Sequence, residues 1–247
     1  MTEPENLIAP APPIPAKPHK WLTTDEIRNG CITLTHGDKK EQRICTINEE
    51  FRQGFEFINE YKKSVSVFGS ARFAEGSEYY EIARTLGARV VSDLGYAIIT
   101  GGGPGIMEAA NRGAYEKGGA SLGLTIDLPQ EQDTNKYVTA TIPFNFFFAR
   151  KVALSYAAEA YVFFPGGFGT LDEFFEIMTL VQTGKIKRIP IFLVGVDFWK
   201  PLVGFIRENL DARFHTINPE DNELYTMTDD LDLVMKKIKD AGVVKGF

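Results

Sequence analysis

The sequence predicts an α/β fold in which helices cover both faces of a parallel sheet. From Ser64 onward, short apolar runs end in glycine or polar residues, and a longer stretch with helical spacing follows most of them. The runs are apolar at consecutive positions rather than at alternate ones, which is typical of strands that are buried on both faces. Together these observations indicate a doubly wound, Rossmann-like sheet from about residue 64 to the C-terminus.

The candidate strands of this sheet are short segments spread along the chain. In order they are SVSVF from Ser64, YAIIT from Tyr96, SLGLT from Ser121, YVFF from Tyr161, IPIFLV from Ile189 and, as an additional candidate, LYTM from Leu224. After them, Leu231, Val234, Met235 and Ile238 recur at helical spacing. We therefore expect a closing helix whose lysines lie on a solvated face.

The N-terminal part of the chain has a different composition. Six of the 13 prolines lie within the first 18 residues, where missing amide donors and fixed φ angles disfavour helix and sheet. Thr46 and Glu49 form a capping-box pattern, so a helix is expected from about residue 47. We predict a flexible, proline-rich extension over residues 1–45 that is dispensable for chemistry, and a single domain over residues 46–247.

Charge and cysteine content indicate which kind of ligand and which cellular compartment to expect. The formal net charge of −6 argues against nucleic acid and anionic membranes, which usually bind basic patches, so a small molecule is the expected ligand. Cys31 and Cys45 are the only two cysteines, too few for a disulfide framework or a multi-cysteine metal site. The sequence has neither a membrane-spanning apolar run nor a secretory signal pattern. These features predict a reducing compartment and a cytoplasmic protein.

Two glycine-rich loops follow predicted strands, at the position where open parallel sheets bind ligands. In the first, TGGGPGIMEAA from Thr100 to Ala110, consecutive glycines allow the backbone to approach a ligand closely. The dinucleotide-binding fingerprint is absent, because Ile106 stands where the pattern from Gly101 requires glycine or alanine. A tight turn without a ligand is the alternative interpretation.

The second loop, PGGFGTLDE from Pro165 to Glu173, has the features of a phosphate site. Its glycines leave space beside the backbone, and free amides at a helix N-terminus together with the Thr170 hydroxyl favour an anion. The Walker pattern occurs nowhere in the sequence, which disfavours nucleoside triphosphate hydrolysis. Glu173 has two interpretations: a catalytic carboxylate beside Asp172, or the glutamate of a capping box with Thr170.

A basic pair, Arg150 and Lys151, follows a cluster of aromatic residues in FNFFFARK. A helix across this stretch would place Arg150 near Phe146 and Phe147. The arginine is expected to contact a phosphate, a base or Glu173. The alternative is a surface pair whose apolar stems lie along the protein.

These segments together resemble the Lonely Guy family of cytokinin-activating phosphoribohydrolases. The resemblance spans roughly residues 64–200 and rests on FGSAR from Phe68, GGGPGIMEAANRGA from Gly101, the basic pair, and PGGFGTLDE. Members hydrolyse the N-glycosidic bond of a nucleoside 5′-monophosphate to a free base and ribose 5-phosphate, without a metal or organic cofactor. The resemblance implies that Arg150 and Glu173 are catalytic. It implies substrate-binding roles for Ser70, Gly103, Met107, Glu131, Lys151, Gly166, Gly167, Gly169, Thr170, Asp172 and Thr179.

Several functional expectations follow from this resemblance. The similarity to longer bacterial members favours AMP or another purine nucleotide over a cytokinin nucleotide as substrate. A non-catalytic nucleotide or molybdenum-cofactor carrier is the alternative, because the scaffold is similar to such carriers and a fold does not determine chemistry. Pyridoxal-dependent lysine decarboxylation would require a Schiff-base lysine and a ring-anchoring acid, and no such constellation is visible. The family and the aromatic cluster from Phe144 to Phe148 also predict a homodimer with active sites near the subunit boundary.

Overall fold

The structure is a computed structural model that describes residues 21–61, 63–127 and 134–242. The α-helices are α1 (Thr24–Leu34), α2 (Lys39–Asn59), α3 (Glu78–Leu94), α4 (Ile106–Glu116), α5 (Phe147–Ser155), α6 (Phe168–Gln182), α7 (Val196–Phe205) and α8 (Leu231–Ala241). The strands are β1 (Ser64–Phe68), β2 (Ala97–Thr100), β3 (Ser121–Ile126), β4 (Ala140–Phe144), β5 (Ala160–Phe163), β6 (Ile191–Leu193) and β7 (Thr226–Met227). A π-helix (Ile206–Arg213) continues α7, and a 3₁₀-helix (Pro219–Glu223) precedes β7.

The predicted doubly wound α/β fold is confirmed. The described strands form one sheet of seven in the order β4-β3-β2-β1-β5-β6-β7, and every neighbouring pair is parallel. The strand order runs outward from β1 to β4 and then reverses, because α5 returns the chain to β5 on the other side of β1. Such a reversal creates a crevice at the carboxyl ends of β1 and β5, where ligands of this fold class bind.

Two apolar cores cover the two faces of the sheet. One core packs α3, α4 and α8 against side chains such as Val65 and Val162. The other packs α2, α5, α6 and α7 against side chains such as Tyr161 and Phe163. Successive residues of β5 thus enter opposite cores, which explains why the strands are apolar at consecutive positions. The closing helix α8 is as predicted, with Val234, Met235 and Ile238 buried.

The edge strand β4 has no clear signal in the sequence and was not predicted. Its residues, ATIPF, contain Pro143 and are only partly buried, so the segment has neither the apolar run nor the alternation that marks a strand. Pairing with β3 in register from Leu122 and Ala140 to Ile126 and Phe144 defines this strand. An edge position tolerates the missing amide of a proline.

The predicted N-terminal boundary is wrong. Helix α2 begins at Lys39 rather than near residue 47, because the side chain of Asp38 accepts hydrogen bonds from the amides of Lys40 and Glu41. Thr46 lies inside the helix, where its Oγ1 donates to the carbonyl of Gln42. The flexible extension predicted over residues 1–45 is contradicted from residue 24 onward, where α1 and the start of α2 form. Residues 1–20 lie outside the described part.

The cysteines also differ from expectation. Cys31 of α1 and Cys45 of α2 are joined in a disulfide that closes a loop with a sequence separation of 14. A lone disulfide is not the multi-bridge framework that the composition excludes, but disulfides are rare in reducing compartments, so it speaks against the compartment inferred from the cysteine count. No helix in the described ranges is long and apolar enough to cross a membrane.

Candidate active site

A cavity of about 400 Å³ lies at the carboxyl ends of β1, β2, β3 and β5, in the crevice that the strand order creates. Most of the residues predicted from the sequence line it: Ser70, Gly103, Met107, Arg150, Lys151, Gly167, Gly169, Thr170, Asp172 and Glu173. Both glycine loops therefore border one space, together with the basic pair on α5. The tight-turn interpretation of the first loop is not required, since that loop forms part of the cavity wall.

Three predicted residues are not among those that line this cavity. Gly166 lies beside it and has a packing role, because a Cβ at this position would collide with the side chain of Thr170. Thr179 lies exposed farther along α6, where its Oγ1 donates to the carbonyl of Phe175. Glu131 falls outside the described residues.

The N-terminus of α6 has the geometry expected of an anion site. The helix begins at Phe168, its N-cap is Gly167, and no side chain caps it. The first amides of a helix have no intrahelical acceptor, so those of α6 remain available to a ligand at the positive end of the helix dipole. A Cβ at Gly167 or Gly169 would meet no atom within 4 Å, so open space adjoins the backbone here. A phosphate could approach both positions closely.

This boundary also decides between the two interpretations of Glu173. With Gly167 as N-cap, Thr170 is the third residue of the helix and Glu173 the sixth, so they do not form a capping box. Glu173 is only 9% exposed, and its Oε2 atom has no hydrogen-bond partner among the described residues. Buried carboxylates normally find partners, so an unpartnered oxygen beside a cavity indicates a functional role rather than a structural one.

The environment of Glu173 strongly favours its protonated form. The pKa of Glu173 is raised to about 7, first by burial and then by the nearby charge of Glu176, and these effects outweigh the lowering effects of Lys151 and Arg150. A carboxyl group with a pKa near neutrality can exchange a proton at physiological pH. Perturbed groups of this kind concentrate at functional sites.

Arg150 and Lys151 lie on α5 and reach the cavity from the opposite side. The Nε of Arg150 donates to the carbonyl of Leu124 at 2.7 Å, and burial lowers the pKa of this guanidinium while Glu173 raises it. A Cβ on Gly101 would collide with the guanidinium, so the first glycine loop is shaped around Arg150. The helix predicted across this stretch is α5, and Arg150 lies one turn beyond Phe146, whose ring is covered by Arg43.

Lys151 is held by two carboxylates. Its Nζ lies 2.8 Å from Asp172 Oδ2 and 3.1 Å from Glu176 Oε2, both on α6. These ion pairs tie α5 to α6 across the cavity. They also offset the negative charge that Asp172 brings to the turn proposed to bind an anion.

A buried polar network fixes the first glycine loop. Asn111 accepts from Thr100 Oγ1 at 2.6 Å and from Asn135 Nδ2 at 3.0 Å, and Asn135 also donates to the carbonyl of Gly103 at 3.1 Å. Gly105 has a φ of +68°, and a side chain there would collide with the backbone of Ser70. The loop is thereby held in one conformation beside Ser70. These polar residues were not predicted from the sequence.

Glu50 of α2 is a further residue near the site that was not predicted from the sequence. It is 1% exposed, and its two carboxylate oxygens accept from the amides of Asn145 and Phe146, each at 3.1 Å. These amides lie at the N-terminus of α5, where a negative charge is favoured by the helix dipole. Glu50 therefore anchors the helix that carries Arg150. No local pattern could have revealed a contact across 95 positions.

The described residues contain no group of three or more histidine, cysteine, aspartate or glutamate side chains arranged to hold a metal ion.

Comparison with known proteins identifies the family. A family model described as possible lysine decarboxylase matches residues 107–238, more than half of the 247 residues. A cytokinin riboside 5′-monophosphate phosphoribohydrolase of Arabidopsis thaliana is 30% identical over 157 residues, which cover 62% of this chain and 70% of that protein. The chain belongs to the Lonely Guy family. Another member, the cytokinin riboside 5′-monophosphate phosphoribohydrolase of Rhodococcoides fascians, is 25% identical over 149 residues, covering 58% of this chain and 74% of that protein.

Solved structures share the fold of this Lonely Guy protein. The molybdenum cofactor carrier protein of Chlamydomonas reinhardtii superposes with a TM-score of 0.53 at 23% identity, covering 73% of this chain and 98% of that one. The molybdenum cofactor binding protein of Rippkaea orientalis gives a TM-score of 0.50 at 19% identity, covering 72% and 96%. At these identities the likeness establishes the fold alone, because one fold hosts many functions.

Proposed function

We propose that this protein hydrolyses the N-glycosidic bond of a purine nucleoside 5′-monophosphate, with AMP as the first substrate to test, to give a free base and ribose 5-phosphate. The observation that carries the proposal is the buried Glu173 carboxyl, whose Oε2 has no partner among the described residues and which lies beside an uncapped helix N-terminus. The names of the Arabidopsis and Rhodococcoides relatives support the same reaction class.

In the proposed mechanism, α6 contributes both the anchor and the carboxylate. The amides after Gly167 and the hydroxyl of Thr170 hold the 5′-phosphate, and this remote binding energy fixes the ribose over Glu173. Cleavage of the glycosidic bond builds positive charge on the ribose ring. The ionised Glu173 stabilises that charge and orients the water that attacks C1′.

Arg150 acts on the other side of the same cavity. Its guanidinium is held by the Leu124 carbonyl and interacts electrostatically with Glu173, so it maintains a population of the ionised carboxylate and orients it. Lys151 keeps Asp172 and Glu176 paired, which reduces their repulsion of the phosphate. Charge compensation by these two cations allows carboxylates and a phosphate to share one site.

Lysine decarboxylation, the activity in the family's description, is not favoured by the cavity. A Schiff-base lysine needs a lowered pKa. Burial lowers the pKa of Lys151, but hydrogen bonds to Asp172 and Glu176 outweigh that effect and raise it overall. Lys151 is the one lysine among the described residues that line the cavity.

The proposal is tested by incubating the purified protein with AMP, GMP, a cytokinin riboside monophosphate and adenosine, and by measuring free base by chromatography. We expect base release from AMP and little from adenosine, because adenosine lacks the anchored phosphate. Equal rates on AMP and adenosine would contradict the phosphate anchor. Stoichiometric AMP binding without base release from any nucleotide would support the carrier alternative instead.

A homodimer belongs to the same proposal. Several aromatic rings beside the cavity are exposed, and Phe168, in the phosphate loop itself, is 92% exposed. Large apolar side chains grouped at one place are typical of a protein interface. We expect light scattering at micromolar concentration to give the dimer mass, and a monomer mass would reject this part of the proposal.

A further inference from the structure

Phe147 differs from the other described members of the aromatic cluster because its ring packs against none of them. It is the first residue of α5, lines the cavity, and is 57% exposed. The rings of Phe146 and Phe148 pack against each other with centroids 5.3 Å apart, and Phe148 also contacts Phe51. No ring contact is made by Phe147 within the described ranges. Packing at the start of α5 therefore explains the aromatic residues Phe146 and Phe148, but it does not explain why residue 147 is aromatic.

The helix directs Phe147 to the same space as the catalytic arginine. Arg150, Lys151 and Leu154 follow Phe147 at spacings of three, four and seven, which lie on one face of a helix, and all four residues line the cavity. Leu154 and Ile126 add apolar surface to the same wall. The cavity thus has an apolar portion along α5, in addition to the polar portion at the N-terminus of α6.

Only one aromatic ring of the described cavity wall is free to stack on a ligand. The described wall contains two aromatic rings, those of Phe68 and Phe147. Phe68 is buried and stacks on Phe163 with centroids 4.9 Å apart and an interplanar angle of 11°. Its face is therefore already occupied, whereas the ring of Phe147 is open to the cavity.

We propose that Phe147 is the platform on which the base of the substrate stacks. This inference rests on the proposed function, since it assigns the second half of the same substrate. With the phosphate at α6 and the glycosidic bond at Glu173, the base extends beyond the bond and needs an apolar, flat surface. An open phenyl ring provides that surface for any base and favours purines, whose larger rings overlap it more fully.

The test separates binding of the base from binding of the phosphate. AMP and ribose 5-phosphate are titrated by calorimetry into the full-length Glu173→Gln protein, with and without Phe147→Ala, because on the proposed function this variant should bind AMP without hydrolysing it. We expect Phe147→Ala to weaken AMP binding by about 5- to 150-fold, the range for loss of a base–aromatic stack. Ribose 5-phosphate, which has no base, should keep its affinity within about twofold.

Two further variants make the outcome specific. Phe147→Trp should retain AMP affinity, because its ring also offers a stacking face. Phe148→Ala removes a neighbouring exposed ring that does not line the cavity, and it should leave the affinities for AMP and ribose 5-phosphate unchanged. Thermal melting of each variant verifies that it is folded.

The possible results distinguish this inference from the proposed function. Unchanged AMP affinity in Phe147→Ala overturns the platform. A parallel loss of AMP and ribose 5-phosphate affinity, together with a lower mass in light scattering, also overturns it and makes the ring a subunit contact. If AMP binding depends on Phe147 while the protein with Glu173 intact releases no base, the platform stands and hydrolysis is refuted.

Discussion

The pH dependence of turnover tests the role of Glu173, because burial raises the pKa of its carboxyl to about 7. If the ionised form stabilises the developing positive charge, kcat/KM for AMP must fall as this group is protonated. Two pH units below the pKa, about 1% of the carboxyl is ionised. We therefore expect kcat/KM at pH 5 to be roughly 100-fold below its plateau above pH 8.

The substrate complicates this profile, since a phosphate monoester loses its second proton near pH 6. Glu176 provides the control, because its charge is the second largest cause of the raised pKa of Glu173. Glu176→Gln removes that charge, while Asp172 still holds Lys151. The acid limb should then move to lower pH, although the titration of AMP is unchanged.

The assay is initial-rate base release from AMP at pH 4.5 to 9 for the parent protein, Glu176→Gln and Glu56→Gln. Glu56 is an exposed carboxylate on α2 that pairs with Arg52, so its removal should not move the profile. An acid limb that stays in place in Glu176→Gln would refute the assignment to Glu173. A rate that rises as the pH falls through 7 would make Glu173 an acid rather than a charge stabiliser.

Two further predictions concern stability. The pKa of Glu173 lies about 2.5 pH units above the ordinary 4.5, so ionisation of this group costs the fold up to roughly 3 kcal/mol, a cost that is absent below about pH 4.5 and complete above about pH 7. Glu173→Gln should therefore melt at a higher temperature than the parent at pH 8 but not at pH 4, where the group is protonated in both states, and an equal difference at both values would contradict the raised pKa. Glu50→Ala leaves the amides of Asn145 and Phe146 without their acceptor, so we expect a loss of about 2 kcal/mol in urea denaturation and a lower kcat, because α5 carries Arg150. Its half-buried neighbour Glu49 pairs with Arg52 and Gln53 of the same helix, so a comparable loss of kcat in Glu49→Ala would show that the effect is not specific to the anchor.

The buried strands and the glycine loops are determined locally, and the sequence therefore predicted them. A strand covered on both faces must be apolar at successive residues, as in YVFF. This pattern can be recognised in the strand itself, without knowing which strands pair with it. Glycine is likewise needed wherever the backbone must approach another group, as at Gly101 beside Arg150. Parallel strands then bring their carboxyl-end loops together, so the motifs that resemble the Lonely Guy family meet at one cavity.

The exact start of a helix depends on which of several possible capping residues is used, and the sequence does not decide between them. Thr46 with Glu49 and Thr170 with Glu173 both fit the capping-box pattern, yet the structure caps α2 with Asp38 and begins α6 after Gly167. A capping box is only a pair of residue types at the right spacing, and either pair can equally lie within a helix.

Contacts between distant segments could be read only from the tertiary structure. Strand β4 exists because it pairs with β3, and α5 is anchored by Glu50 from 95 positions away. The pKa of Glu173 depends on its burial and on charges that α5 brings to α6. Residue types and their spacing determined which groups reach the site. Their ionisation and orientation were decided only by packing, because burial and Coulomb interactions act through space between segments that are distant in the sequence.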